Sequence, residues 1–172
     1  MHDIDIFVDI EFNHEGIFLL GAYCPQYRHI RLQLYEKTLT IRRLTNFIRQ
    51  CRRPNRETLI FCHGPDFGHI EKEFEIDFKN QYTCINSITA YRYFTRYKYF
   101  SLAHLASKIG LGWKDPGVQQ KISALWRSND AQKRRRVLDY NWDDCKNLGG
   151  IIKELRQRGV TTRQLMDYAK LA

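Results

Sequence analysis

The stretch IDIFVDIEF, residues 4–12, places two carboxylates, Asp9 and Glu11, in an otherwise apolar run. Apolar and acidic side chains alternate along it, which predicts a β-strand. Because residues two apart on a strand share a face, Asp9 and Glu11 would project side by side. Like charges at that spacing repel, and a divalent cation between them relieves the repulsion. The alternative is an edge strand whose outer face is exposed to solvent, with Asp5 and Asp3 continuing the row of acidic residues on that face.

Further strands and helices are predicted along the rest of the chain. Strands are expected at about 3–12, 16–24 and 29–36, at 58–62 and, more weakly, at 82–85. Helices are expected after Thr40, from Asp66 as N-cap, through Tyr91 and Phe94, over 101–110, and at about 117–127, 130–157 with a break near Asp139, and 161–171. Three antiparallel strands followed by alternating strands and helices predict an α/β fold, a mixed sheet flanked by helices. This order resembles that of ribonuclease-H-like folds.

Length and composition favour one domain, residues 1–172, with a substantial core. The 43% of hydrophobic residues argues against intrinsic disorder. No run reaches the ~20 apolar residues of a membrane-spanning helix, and the charged N-terminus does not resemble a signal peptide. The five cysteines are scattered without CxxC spacing, which is typical of reduced thiols in a cytoplasmic protein and not of a zinc site.

A formal net charge of +9 predicts a polyanionic partner, and nucleic acid is the commonest one. Basic residues cluster in three segments. The first segment spans residues 42–56. The second contains the candidate nucleic-acid-binding residues Arg92, Arg96 and Lys98, interleaved with aromatic residues. The third contains the candidates Lys133, Arg134 and Arg135. The alternative for each cluster is a solvated helix face.

A further acid, Asp66, follows the fourth predicted strand at the turn into a helix. Ligands of open α/β sheets gather at such strand ends. If the fourth strand pairs beside the first, Asp66 arrives near Asp9 and Glu11. The alternative is a plain N-cap, which contributes ~1 kcal/mol and explains an aspartate at this position.

The last candidate pair lies in the segment Leu138 to Leu148, where Tyr140 and Asp144 are four residues apart and share one helical face. Asp144 could hold a cation while Tyr140 orients a water or helps to deprotonate it. Asp143 is expected to point about 100° away, toward solvent or the basic cluster. The alternative is an ordinary helix with a packed Tyr140 and an exposed Asp144.

Together, Asp9-x-Glu11, Asp66 at a strand-to-helix turn and Tyr140-x-x-x-Asp144 resemble the tyrosine-containing form of the DEDD exonuclease superfamily. More narrowly, they are similar to the predicted ribonuclease-H-like exonucleases of the YprB-like branch. That likeness includes the run from Ser101 to Gly110 and the "YN" motif at 140–144, and it spans Ile4 to about Leu155. The chain departs from the branch at the second motif. The branch usually has an Asn-Gly turn and then Phe-Asp, whereas this chain has His-Gly-Pro-Asp-Phe at 63–67.

The resemblance implies a 3′–5′ exonuclease that hydrolyses phosphodiester bonds of single-stranded DNA or RNA with two Mg²⁺ or Mn²⁺ ions. It implies Asp9 as a ligand of both ions, Glu11 and Asp144 on one ion and Asp66 on the other, directly or through water, with Tyr140 as a fifth catalytic residue. Two alternatives stay open: a non-catalytic nucleic-acid-binding protein that retains the fold, and an endonuclease of the same fold. The sequence does not indicate a protein partner or an oligomeric state.

Overall fold

The structure, a computed structural model, describes residues 3–26, 30–96, 101–112 and 116–171. Its sheet has the order β3-β2-β1-β4-β5. The strands are β1 (Ile4–Asn13), β2 (Gly16–Cys24), β3 (Ile30–Tyr35), β4 (Thr58–Cys62) and β5 (Thr83–Asn86). β1 to β3 pair antiparallel, whereas β4 pairs parallel to β1 and β5 parallel to β4. The predicted mixed sheet with three antiparallel strands is confirmed. The predicted start of the third strand, at 29, lies outside the described residues.

The helices flank this sheet. They are α1 (Ile41–Cys51), α2 (Asp66–Phe74), α3 (Phe78–Gln81), α4 (Ser87–Thr95), α5 (Leu102–Lys108), α6 (Pro116–Gln119), α7 (Ile122–Arg127), α8 (Ala131–Gln157) and α9 (Thr162–Ala169), with a 3₁₀ turn at Glu36–Thr38. Within these ranges, no helix combines the length and the apolar character that crossing a bilayer requires.

Two predicted helix features are wrong. α8 runs unbroken past Asp139, whose carboxylate pairs with Arg135 one turn earlier and so supports the helix. Asp66 is not the N-cap of α2. Pro65 occupies that position and Asp66 is the first helical residue. Its carboxylate is therefore free of a capping role and available for other contacts.

Side chains that alternate along β1 pack on opposite faces of the sheet. Ile6, Val8 and Ile10 join a core with α1 and α2 on one face. Phe7 packs on the other face against Leu148 and other apolar residues of α8. Because β1 is central and buried on both faces, the edge-strand interpretation of its acidic residues is wrong.

Asp5, which that interpretation placed in water, is buried and pairs with α8. Its Oδ1 lies 2.7 Å from Nη2 of Arg156. Burial raises the pKa of Asp5, and the guanidinium opposes this rise. The ion pair ties β1 to the C-terminal part of α8, four residues before Asp9 on the same strand face.

Candidate metal centre

Three carboxylates from two elements meet at the C-terminal end of β1. Asp9 and Glu11 come from the strand and Asp144 from α8. One oxygen of each lies within 4.8 Å of the other two. Phe7, on the same face of β1, packs against α8 one turn beyond Asp144 and so holds helix and strand together. The structure thus brings together three of the four acids that the sequence singled out.

Asp66, the fourth acid, lies beside this group and is 4% exposed. The parallel pairing of β4 with β1 carries the turn before α2 to the end of β1. There the backbone N–H groups of His63 and Ile10 act on the carboxylate of Asp66 and lower its pKa, against the larger effect of burial. Its negative charge acts on both Asp9 and Glu11.

Burial and mutual repulsion make these carboxylates poor anions. Burial raises the pKa of Asp9, and the charges of Glu11, Asp144 and Asp66 raise it further. The pKa of Glu11 rises for the same reasons. Burial, with a contribution from Asp144, raises the pKa of Asp66 to about 8. Four acids therefore share a space in which only a positive charge would let all of them ionise.

Two carboxylate oxygens in the described part of the chain are buried without a hydrogen-bond partner, Oε1 of Glu11 and Oδ2 of Asp66. Buried polar atoms are normally paired, so each such atom needs an explanation. A divalent cation supplies one, because oxygen-only ligand sets suit Mg²⁺ and Mn²⁺. The residues present fit such an ion.

Asn141 fixes the orientation of Asp9. It is fully buried, and its Nδ2 donates to Oδ2 of Asp9 at 2.8 Å and to the backbone oxygen of Asp9 at 3.2 Å. Its Oδ1 accepts from Nε2 of Gln33 on β3 at 3.4 Å. Gly21 on β2 lies opposite Asp9, and a Cβ there would overlap Oδ1 of Asn141. This strand glycine allows helix α8 to approach the sheet closely.

Sequence reasoning did not assign Asn141 or Gly21 to the site. Two signals were available. Asn141 adjoins Tyr140 in the "YN" motif, and Gly21 interrupts an otherwise apolar strand.

Tyr140 is 6% exposed and packs in a small apolar cluster with Leu19 and Trp126. Its hydroxyl donates a hydrogen bond to Asp144. Burial, and then the negative charges of Asp144, Glu11 and Asp9, raise the pKa of the phenol above its ordinary value. Tyr140 is therefore a protonated donor that orients Asp144.

The sequence placed Asp143 toward solvent or the basic cluster, and the solvent alternative is wrong. Asp143 is 6% exposed and pairs with Nζ of Lys146 one turn later on α8. Although Asp143 is next to Asp144 on the helix, its carboxylate forms a separate ion pair with Lys146.

The candidate nucleic-acid-binding residues lie on two helices. Arg92 and Arg96 are exposed on and just after α4, and Lys98 lies outside the described residues. Lys133, Arg134 and Arg135 belong to the first turns of α8, and each contacts an acid: Asp130 at 3.7 Å, Glu36 at 2.7 Å and Asp139 at 3.1 Å respectively. Ten residues of helix separate Arg134 from Asp144, about 15 Å.

A family model described as the RNase_H superfamily matches residues 6–156. The matched region includes all four acids as well as Tyr140 and Asn141. Comparisons with curated proteins and with solved structures found no match.

Proposed function

Because this chain belongs to the RNase_H superfamily, we propose that it is a metal-dependent nuclease, specifically a 3′–5′ exonuclease acting on single-stranded DNA or RNA. The superfamily supports a nuclease-like fold and a nucleic-acid substrate. The observation that carries the finer proposal is the meeting of Asp9, Glu11 and Asp144 within 4.8 Å, with buried Asp66 alongside.

These four carboxylates would hold two Mg²⁺ or Mn²⁺ ions. Asp9, flanked by the other three acids, is the residue suited to contact both. Ions bound in this way activate a water for in-line attack and stabilise the leaving oxygen of a phosphodiester. The unpaired oxygens of Glu11 and Asp66 support this assignment, because they have the capacity to bind an ion without breaking a hydrogen bond.

The chain's other residues orient the carboxylates. Asn141 donates to Asp9 and leaves its second carboxylate oxygen for a metal or a water. Tyr140 donates to Asp144. Because the raised pKa keeps Tyr140 protonated, its role in the proposal is to position Asp144 and a nearby water, and not to remove a proton. Preorganised donors of this kind do not need to rearrange during the reaction.

The test compares variants on a 5′-labelled single-stranded oligonucleotide in Mn²⁺. Asp9→Ala and Asp144→Ala are expected to abolish hydrolysis while oligonucleotide binding in EDTA persists. Glu154→Ala is the matched control, since Glu154 lies on the same helix as Asp144 but pairs with Arg158 at the far end. Degradation by Asp9→Ala at the parental rate would overturn the proposal.

Label position and substrate topology separate the possible polarities. A 3′–5′ exonuclease shortens a 5′-labelled strand progressively and releases a 3′ label at once as mononucleotide. A circular single strand offers no end, so its cleavage would identify an endonuclease instead. Binding without any hydrolysis, and without a Mn²⁺-induced rise in melting temperature, would identify a non-catalytic nucleic-acid-binding protein.

A further inference from the structure

A cleft of about 1350 Å³ runs along the outer edge of the sheet, beside β5. Gly64 and Pro65 line one end of it, in the turn that leads into Asp66. Arg52 and Arg56 line the other end, between α1 and the start of β4. The cleft therefore runs from the turn that precedes Asp66, along the edge strand, to the connection between α1 and β4.

The lining of the cleft is basic. Of the described residues that line it, one is acidic, Glu57, and five are basic: Arg52, Arg53, Arg56, Lys79 and Lys170. Both lysines already lie near acids, Lys79 at 3.3 Å from Glu71 and Lys170 at 3.6 Å from Asp167. The three arginines all come from the segment between α1 and β4, so positive charge is concentrated at that end of the cleft. Arg53 also donates to the backbone oxygens of Gln50 and Arg52, at 2.9 and 2.7 Å.

An aromatic ring lies among these arginines. The guanidinium of Arg52 stacks over the ring of Tyr82 at 5.4 Å, and Tyr82 is partly exposed in the wall of the cleft. A positive groove that contains an aromatic ring matches the way in which single-stranded nucleic acid is bound, with phosphates on the cations and bases on the ring. An edge strand could also accept a peptide strand, but five basic residues favour a polyanion.

We propose that this cleft binds single-stranded nucleic acid and leads one end of the strand to the metal centre. Arg52, Arg53 and Arg56 contact phosphates, with the guanidinium of Arg52 displaced from Tyr82 so that a base stacks on that face of the ring. The delivery of the strand end rests on the proposed nuclease function, whereas the binding itself does not.

The test measures binding of a long fluorescent single-stranded oligonucleotide in EDTA, where metal-dependent hydrolysis does not interfere. The double variant Arg52→Ala, Arg56→Ala is expected to bind more weakly. Its slope of log affinity against log salt should fall by about 1.4, since each phosphate contact with a single strand contributes about 0.7. The matched control is Arg158→Ala, Arg163→Ala, which removes the same charge from two exposed arginines outside the cleft. A slope change in the control equal to that in the cleft variant would overturn the proposal, because net charge alone would then explain binding.

Two further variants probe the cleft without changing its charge. Tyr82→Leu is expected to weaken binding by roughly 5- to 140-fold, the range for loss of one base stack. Gly68→Phe fills open space, because nothing lies within 4 Å of a Cβ built at Gly68. It should also weaken binding. If both variants fold and bind with parental affinity, no strand occupies the cleft.

Substrate length separates this proposal from the nuclease proposal. A dinucleotide reaches the metal centre but not the arginines, so the arginine double variant should lose more kcat/KM on a long oligonucleotide than on a dinucleotide. Equal losses would indicate a structural defect and overturn the cleft proposal, even if Asp9→Ala is inactive. Full hydrolysis by Asp9→Ala, with binding lost in the arginine variant, would overturn only the nuclease proposal.

Discussion

Replacing Asp66 by asparagine is expected to stabilise the metal-free protein and to reduce its response to Mn²⁺. Burial raises the pKa of this carboxyl from its ordinary 3.8 to about 8, while the backbone N–H groups of His63 and Ile10 oppose the rise. Asparagine has nearly the same shape and keeps an oxygen in the position of the carboxylate. Asparagine is neutral without taking up a proton, so the free-energy cost of protonating or ionising a buried carboxyl disappears.

The sign and size of the effect follow from proton linkage. Because the folded pKa of Asp66 exceeds the unfolded value, the folded state binds more protons between pH 3.8 and about 8. The free energy of unfolding therefore falls as pH rises through this window. By pH 7 the cost of holding this proton in the folded state, while the unfolded state is ionised, reaches about 4 kcal/mol, from 1.36 kcal/mol for each pKa unit. The neighbouring acids share protons with Asp66, so we expect a net gain of about 2 kcal/mol in the variant.

Thermal unfolding measures this directly. In EDTA at pH 7, Asp66→Asn should melt about 4–8 °C above the parent, and the difference should shrink toward pH 4. Adding Mn²⁺ should raise the melting temperature of the parent more than that of the variant, since binding to the folded state stabilises it. The exposed Asp139, changed to asparagine, is the control for loss of one negative charge. A lower melting temperature for Asp66→Asn in EDTA, with a full Mn²⁺ response, would refute the reasoning.

Four further changes test the packing around the site. Gly68→Ala should raise the free energy of unfolding by about 0.5–1 kcal/mol, because alanine favours the helical backbone of the exposed first turn of α2. Gly64→Ala should lower the free energy of unfolding, since Gly64 has φ +83°. Urea titrations measure both changes. Gly21→Ala should lower stability by about 1–3 kcal/mol and weaken the Mn²⁺-induced rise in melting temperature, because the new Cβ displaces Asn141 from Asp9. Arg156→Gln should destabilise the fold more at pH 8 than at pH 4, since it leaves a buried carboxylate of Asp5 without its counter-charge when that group is ionised; equal losses at both pH values would contradict this.

The strands could be predicted because their signals are local. Alternation along residues 4–12 and the turns after β1 and β2 gave three strands within two residues of their observed ends, where described. The position of β1 in the sheet could not be read in this way. Asp5 suggested that one face of the strand is exposed to solvent, but its carboxylate pairs with Arg156, 151 residues later in the sequence. A distant ion pair of this kind leaves no mark in the local pattern.

The candidate site likewise contains some features that local sequence predicts and others that depend on distant segments. The shared face of Asp9 and Glu11 follows from strand geometry, and that of Tyr140 and Asp144 from helix geometry. Asn141 reaches Asp9 only because Gly21 lies opposite Asp9 in the β1–β2 register. This contact depends on the β1–β2 register, on the close approach of α8 to the sheet and on the absence of a Cβ at Gly21. No single segment of the sequence contains all three.

The position at which α2 begins explains how the reversed order of Asp66 and Phe67, relative to the YprB-like branch, is accommodated. Consecutive residues on a helix point about 100° apart. Because α2 begins at Asp66, this residue turns toward Ile10 and the charge of Asp144, while Phe67 enters the core and stacks on Phe78 with ring centroids 6.0 Å apart. An acid before the phenylalanine can thus face the metal centre without exposing the aromatic ring. The departure from the branch's pattern is therefore compatible with the proposal that Asp66 is a fourth ligand.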